Sequence, residues 1–135
     1  MTEPVADAAR GILDGHVVLS MKLAHKGHYP AIDVLDSISR VATDITAREQ
    51  QQQRQMALRL LASYREVEEL VQIGAYARGS NAEADAAIEL TPLIHGILRQ
   101  EQGESEAIET SRARLAQVTR QGADILAQRQ RKKSA

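Results

Sequence analysis

Apolar side chains recur at spacings of three and four residues through the middle of this chain, and this pattern constrains the fold more than any other feature. Residues at these spacings share one face of a helix, so the pattern predicts a long amphipathic helix. Thr46 and Glu49 have the spacing of a capping box and predict its start. Gly74 and the run Arg78-Gly79-Ser80 predict its end. The apolar face comprises Ala57, Leu60, Leu61, Tyr64, Val67, Leu70 and Val71.

A second helix is predicted to follow directly. Ser80 and Glu83 have the spacing of another capping box, which places its start at residue 80. Thr91 and Pro92 predict a restart or a kink, because proline is favoured in the first turn of a helix.

A last helix is predicted from about Glu104, after a break at Gly103. Its apolar stripe is narrow, which is typical of a seam against one partner helix rather than of a globular core. We expect Gly122 to weaken this helix and the basic tail at 129–135 to fray. The stripe comprises Ile108, Leu115, Val118, Ile125 and Leu126.

The first 45 residues have a mixed, loop-rich character. Val17-Val18-Leu19 follows the turn-like pair Asp14-Gly15 and predicts a short strand. Residues 21–26 predict a short helix closed by Gly27. Pro30 requires Tyr29 to be extended or in a turn.

Composition limits both the core and the class of partner. The chain has 135 residues with 21 Ala, three Tyr and no Phe, Trp or Cys, so we expect a core of small side chains and marginal stability. The absence of cysteine excludes disulfides, thiolate catalysis and cysteine-based zinc sites. A formal net charge of −1 argues against a nucleic-acid-binding surface. We predict neither a membrane span nor a signal peptide, and therefore a cytoplasmic protein.

No complete catalytic constellation is present in the sequence. It contains no Gly-x-x-x-x-Gly-Lys-Ser/Thr phosphate loop. His25 and His28 are three residues apart, but Gly27 and Pro30 break any helix there and no carboxylate completes a ligand set, so we predict no metal site.

The stretch from residue 27 to 41 leaves two interpretations open. In the simpler one it is a connecting loop, with Tyr29 filling a small core and Arg40 in a surface ion pair. The other follows from a resemblance. The runs PVADAARGILDGHVVLS at 4–20, GHYPAID at 27–33, SISR at 37–40 and GAYARGS at 74–80 closely resemble the export ATPases of bacterial flagella and type III secretion systems, relatives of the catalytic subunit of rotary ATP synthases.

The resemblance implies roles for three residues. Arg40 matches the arginine finger of the Ser-x-Ser-Arg motif, which stabilises charge on a phosphate bound by the neighbouring subunit. Tyr29 matches the aromatic residue that packs on the adenine ring of ATP, and Tyr76 matches a second wall of the same pocket. The alternative for both tyrosines is core packing.

The resemblance also implies a fold and a division of the chain. We expect a mainly α protein, in which a helical bundle with a long last helix follows a short strand-and-loop remnant of an α/β nucleotide-binding domain. Residues 1–45 would be the remnant, 46–100 the helical C-terminal domain, and 101–135 an extra helix and basic tail. We expect the likeness to fade beyond about residue 100.

The functional expectation is a C-terminal piece of a protein-export ATPase, of the flagellar branch in preference to the virulence branch. The intact family enzyme would use Mg-ATP as a homo-hexamer, peripheral to the membrane export gate. Its helical region would contact a central stalk, export chaperones and substrates. We expect this chain alone neither to bind ATP tightly nor to hydrolyse it. The alternative is a non-enzymatic helical module that binds a coiled-coil or export partner through the last helix.

Overall fold

A computed structural model describes residues 3–133 and confirms the mainly α architecture. Six helices and one pair of strands make up this part of the chain. In order they are α1 (Pro4–Ile12), β1 (Gly15–Leu19), α2 (Met21–His25), β2 (Ile32–Ser39), α3 (Ala42–Ile45), α4 (Arg48–Gln72), α5 (Ala82–Leu98) and α6 (Ile108–Lys133).

The two strands form an antiparallel hairpin-like pair around α2. Val18 lies opposite Asp33, and the backbone N–H of Val18 donates to the Ser37 hydroxyl at 3.0 Å, next to an irregularity in the register. Strand β1 and helix α2 are where the sequence predicts them, and Gly27 follows α2 with φ +67°, as a helix-closing glycine does. Helices α1 and α3 and strand β2 were not predicted. The interpretation of residues 27–41 as a connecting loop is therefore wrong, because eight of these residues form β2.

Both predicted capping boxes are wrong in detail. Helix α4 begins after Ala47, which provides no side-chain cap, because the Thr46 hydroxyl donates back to the carbonyl of Ala42 in α3. Helix α5 is capped by Asn81, whose side-chain oxygen accepts from the N–H groups of residues 83 and 84 at 2.9 and 3.2 Å. The Ser80 hydroxyl instead donates to a carbonyl in the preceding turn.

Helix α5 continues through Pro92, so the predicted restart at Thr91 is also wrong. Pro92 lies on the exposed side of the helix, whereas Leu90 and Ile94 on either side of it are buried. Their packing keeps the helix continuous although proline removes one backbone hydrogen bond. The Thr91 hydroxyl is buried and has no hydrogen-bond partner among the described residues.

Helix α6 packs within the chain. It begins at Ile108, later than predicted, and continues to Lys133, so the predicted fraying is wrong as far as residue 133; residues 134 and 135 lie outside the described part. Val118 is buried against α4 and α5, and Leu115, Ile125 and Leu126 pack around the same core. Four of the five stripe residues therefore find their partner helices in the same chain, whereas Ile108 is exposed.

The core lies where α4, α5 and α6 meet, and small side chains bring the helices close together. A Cβ atom at Gly122 would lie only 3.2 Å from methyl groups of both Leu60 and Leu90, so this glycine permits close packing of α6 on α4 and α5. The buried cluster comprises Ala57, Leu60, Leu61, Ala86, Ala87, Leu90, Ile94 and Val118.

The first 45 residues attach to this bundle through polar contacts and a few apolar ones. Arg65 of α4 donates to both carboxylate oxygens of Asp33 at 2.7 Å, and Val34 and Leu35 pack against the core. Many large apolar side chains of the segment are nevertheless exposed: Val5, Ile12, Leu13, Val17, Leu19, Met21, Ile38, Val41 and Ile45.

The core predicts a clear difference between two leucines of α4. Leu60 is 0% exposed and Leu70 is 45% exposed. We expect Leu60→Ala to lower the free energy of unfolding by about 2–5 kcal/mol, because a buried cavity remains, and Leu70→Ala to lower it by less than about 1 kcal/mol. Urea unfolding followed by circular dichroism measures both, and equal losses would contradict this assignment of the core.

Candidate functional site

Arg40 follows β2 directly and lies against the end of α1. Its backbone N–H donates to the carbonyl of Asp14 at 2.8 Å. Its guanidinium donates to the carbonyls of Arg10 at 3.1 Å and Gly11 at 3.4 Å. A cation is favourable beside carbonyls at a helix C-terminus. Within residues 3–133 no carboxylate forms an ion pair with Arg40, so the predicted surface ion pair is wrong and the exposed charge is not neutralised.

Tyr29 lies in the turn before β2 and does not fill a core. Its side chain is 57% exposed. Its backbone carbonyl accepts the N–H of Gln100 at 2.9 Å, which ties the turn to the end of α5. The fixed backbone and the exposed ring leave a flat apolar surface that a planar ligand could stack on.

Tyr76 lies in the segment between α4 and α5, and its hydroxyl is anchored. It donates to the carboxylate of Asp85 at 3.0 Å and lies 3.2 Å from the carbonyl of Asn81. The ring is half-buried. Its position therefore depends on groups at the start of α5.

The three predicted site residues lie on three different elements. Among residues 3–133 no hydrogen bond or ring contact joins Tyr29, Tyr76 and Arg40 to one another. That both rings flank one base stays a prediction.

Asp85 is a functional candidate that the sequence analysis missed. It is 8% exposed, and besides Tyr76 it accepts the N–H of Gly79 at 2.9 Å and the guanidinium of Arg129 from α6. Burial alone raises the pKa of Asp85, but the hydrogen bonds from Tyr76 and Gly79 and the charge of Arg129 outweigh it and lower the pKa. The signal in the sequence was a single acidic residue between Ala84 and the Ala86-Ala87 pair, on the buried side of a helix.

A cleft with a volume of about 590 Å³ separates the α2–β2 segment from α4 and α5. Its charged side chains are mostly paired: Lys22 and Lys26 with Glu68, and Arg65 with Asp33. None of the three predicted site residues lines it.

Two histidines meet at one side of this cleft. The rings of His28 and His95 are 5.1 Å apart in an edge-to-face arrangement. Arg99 Nε donates to His28 Nδ1 at 3.3 Å. Burial and then the Arg99 charge lower the pKa of His28. Burial is the main cause that lowers the pKa of His95, and the charges of His28, Arg99 and Lys26 lower it further. The Glu68 carboxylate acts in the opposite direction but does not outweigh them.

This pair predicts how stability depends on pH. Because both histidines have a lowered pKa in the folded state, the unfolded chain binds more protons, so the free energy of unfolding falls as the pH drops below about 6.5 towards the lowered values. The paired carboxylates Asp33, Glu68 and Asp85, whose pKa is also lowered, lose their stabilisation only at more acidic pH, near and below about 4.

Urea midpoints at pH 7.5 and 5.5 test this effect. We expect the wild-type midpoint to be lower at pH 5.5 and the difference to shrink in His95→Gln. His25→Gln, at an exposed position nearby, is the matched control and keeps the wild-type difference. An unchanged difference in His95→Gln would contradict the assignment.

The described part of the chain shows neither a metal cluster nor a membrane helix. Within residues 3–133 no group of three or more His, Asp or Glu side chains could hold a metal ion. Over the same range no helix is both long and apolar enough to cross a membrane.

Two family models match this chain. Residues 46–117, more than half of the chain, match the T3SS EscN ATPase C-terminal domain. Residues 1–39 match the nucleotide-binding domain of the ATP synthase alpha/beta family. The first match continues beyond residue 100, so the expectation that the likeness fades there is wrong.

Relatives from both branches of protein export are similar to the chain. The type 3 secretion system ATPase of Pseudomonas syringae pv. syringae is 45% identical over 121 residues, which are 90% of this chain and 27% of the relative. The flagellum-specific ATP synthase of Pseudomonas aeruginosa is 47% identical over 116 residues, 86% of this chain and 26% of the relative. The chain thus spans about a quarter of the length of the curated relatives it matches.

Solved structures of a type III secretion ATPase are also similar to this chain. The assembled ATPase EscN from the type III secretion system of enteropathogenic E. coli superposes with a TM-score of 0.81 at 36% identity, over 87% of this chain and 29% of that one. The same ATPase in complex with its central stalk EscO gives a TM-score of 0.79 at 37% identity, with the same shares covered.

Proposed function

This chain belongs to the family of T3SS EscN ATPase C-terminal domains, and on that premise we propose that it serves as the C-terminal part of an ATPase that drives type III protein export. In this proposal residues 1–45 complete an ATP-binding domain, residues 46–100 form the helical C-terminal domain, and residues 101–135 add a further helix with its tail. The exposed apolar side chains of the first segment support this division, since further parts of an ATP-binding domain would cover them.

Arg40 acts in this proposal as an arginine finger. The observation that supports it best is an exposed guanidinium at the end of β2, bound only to neutral carbonyls within the described residues. Such a guanidinium can exchange weak partners for phosphate oxygens, to which it binds in a planar fork. It would stabilise the charge that develops when a neighbouring subunit transfers the γ-phosphoryl group of ATP to water.

Tyr29 and Tyr76 contact the adenine of ATP in the same proposal. The exposure of Tyr29 and its tie to Gln100 support a stacking role, since the ring is accessible while its backbone is held. Stacking of an aromatic ring on a base contributes about 1–3 kcal/mol. The triphosphate and its Mg²⁺ have no corresponding groups in this chain, which carries no phosphate-loop motif. In this proposal the chain therefore contacts only the base and, in the neighbouring subunit, the transferred phosphoryl group.

The assembly and its partners are also proposals. We propose a homo-hexamer, peripheral to the export gate on the cytoplasmic side, whose helical region contacts a central stalk, chaperones and export substrates. The complex of the similar ATPase EscN with its stalk EscO supports the stalk contact. We keep flagellum assembly as the proposed setting, although relatives at 47% and 45% identity support both branches. The rival module that binds a partner through α6 loses most of its support, because every residue of the α6 stripe except Ile108 packs on the core with α4 and α5.

A graft tests the role of Arg40. This chain would replace the matching region of the Pseudomonas syringae ATPase, with which it shares 45% identity. We expect the graft to hydrolyse ATP and Arg40→Ala to lower its kcat by about 10³-fold or more, as for other arginine fingers. Steady-state ATPase assays measure this.

Arg54→Ala is the matched control, because Arg54 is an exposed arginine of α4. We expect it to keep kcat within about twofold, since surface charges contribute little. An Arg40→Ala graft that assembles normally and keeps the ATPase rate of the unmutated graft would contradict the proposed role of Arg40 as an arginine finger.

The same graft tests Tyr29. We expect Tyr29→Ala to raise KM for ATP by about tenfold with a smaller change in kcat, because stacking holds the base and not the reacting phosphate. An unchanged KM would remove Tyr29 from the adenine site.

The chain by itself provides a further test. We expect the purified 135-residue protein to show no ATP turnover above background, because it lacks the phosphate-binding loop. Turnover that survives Arg40→Ala would contradict the proposed function.

A further inference from the structure

The buried carboxylate of Asp85, at the start of α5, joins the preceding α4–α5 connection to the distant helix α6. One oxygen accepts the Tyr76 hydroxyl at 3.0 Å, and the other accepts the Gly79 N–H at 2.9 Å and the Arg129 guanidinium. Tyr76 and Gly79 belong to the α4–α5 connection, and Arg129 lies 44 residues beyond Asp85 in α6.

Asp85 provides the side-chain anchor that joins the α4–α5 connection to α5 and, through Arg129, to α6. The other hydrogen bonds of this segment are short-range: the N–H groups of Ala75 and Tyr76 reach Leu70, and Ser80 reaches Ala77. Most of its side chains are exposed, and none belongs to the buried core. The Tyr76 ring is therefore held at its hydroxyl, by the Asp85 carboxylate at 3.0 Å together with the Asn81 carbonyl at 3.2 Å.

Arg129 adds an opposite charge to the hydrogen bonds from Tyr76 and Gly79 that stabilise the buried carboxylate. A carboxylate taken out of water is costly unless an opposite charge and donors compensate for it. Arg129 is the only cation paired with Asp85 in the described part of the chain. The same guanidinium attaches the last part of α6 to the bundle.

We propose that Asp85 and Arg129 are positioning residues that fix the Tyr76 ring, so that the docking of α6 controls how this tyrosine is presented to adenine. This inference rests on the proposed role of Tyr76 in ATP binding. Arg129 lies beyond residues 46–117, where the family model matches, and the inference assigns a role to a part of α6 outside that match.

The first test is hydrogen exchange of backbone amides in the full 135-residue chain, and it needs no nucleotide. We expect Arg129→Gln to speed the exchange of the Gly79 N–H and its neighbours by at least about tenfold, the size expected for losing a hydrogen bond to a charged group. Arg129→Lys should restore part of the protection. Arg131→Gln, an exposed arginine two residues further along α6, is the matched control and should leave this exchange unchanged.

The second test is the KM for ATP of the grafted ATPase. We expect Arg129→Gln and Tyr76→Ala each to raise KM more than they lower kcat, and the double variant to raise it no further than Tyr76→Ala alone, because both act through one ring. Asp85→Asn provides a second variant at the same contact.

The outcomes separate the inference from the proposed function. If Tyr76→Ala raises KM while Arg129→Gln alters neither the Gly79 exchange nor KM, the inference is overturned and the adenine site stands. If Arg129→Gln speeds amide exchange only near the end of α6, the role of Arg129 is purely structural, and the inference is again overturned. If Tyr76→Ala leaves KM unchanged, the adenine role of Tyr76 fails, and the inference fails with it.

Discussion

The close contact of α4, α5 and α6 is the constraint on which the rest of the structure depends. A chain without Phe or Trp must bury leucines, alanines and a few β-branched residues, and these fill space only if the helices approach closely. Ala86, Ala87 and Gly122 permit that approach. The resulting bundle fixes α5 at its centre. Asp85 at the start of α5 and His95 near its end then connect the bundle to the α4–α5 segment and to the turn before β2.

The accuracy of the sequence-based predictions followed the range of the interactions involved. Periodicity predicted α4, and the Val17-Val18-Leu19 run predicted β1, because both patterns are local. Strand β2 was not predicted, because it forms by pairing with β1, from which α2 separates it in the sequence. The capping residues were misassigned because Thr46 and Ser80 can each bond backward to a carbonyl, an alternative that spacing alone does not exclude.

For the candidate site too, the sequence predicted what depends on local motifs and missed what depends on long-range contacts. Motifs identified Arg40, Tyr29 and Tyr76 through resemblance, and the structure adds what holds each one: carbonyls of α1, the N–H of Gln100 and the carboxylate of Asp85. Asp85 had no motif, since its importance comes from donors 6, 9 and 44 residues away. The stripe of α6 predicted a helical partner, but a pattern of apolar residues does not specify whether that partner lies in the same chain.

The central claim is that Arg40 of this chain acts on ATP bound by a neighbouring subunit. The most direct measurement is a cryo-EM structure of the grafted ATPase with a non-hydrolysable ATP analogue. We expect that in at least one interface the Arg40 guanidinium has left the α1 carbonyls and lies within about 3.2 Å of a γ-phosphate oxygen. A guanidinium that stays on the carbonyls of Arg10 and Gly11 at every nucleotide-filled interface would contradict it.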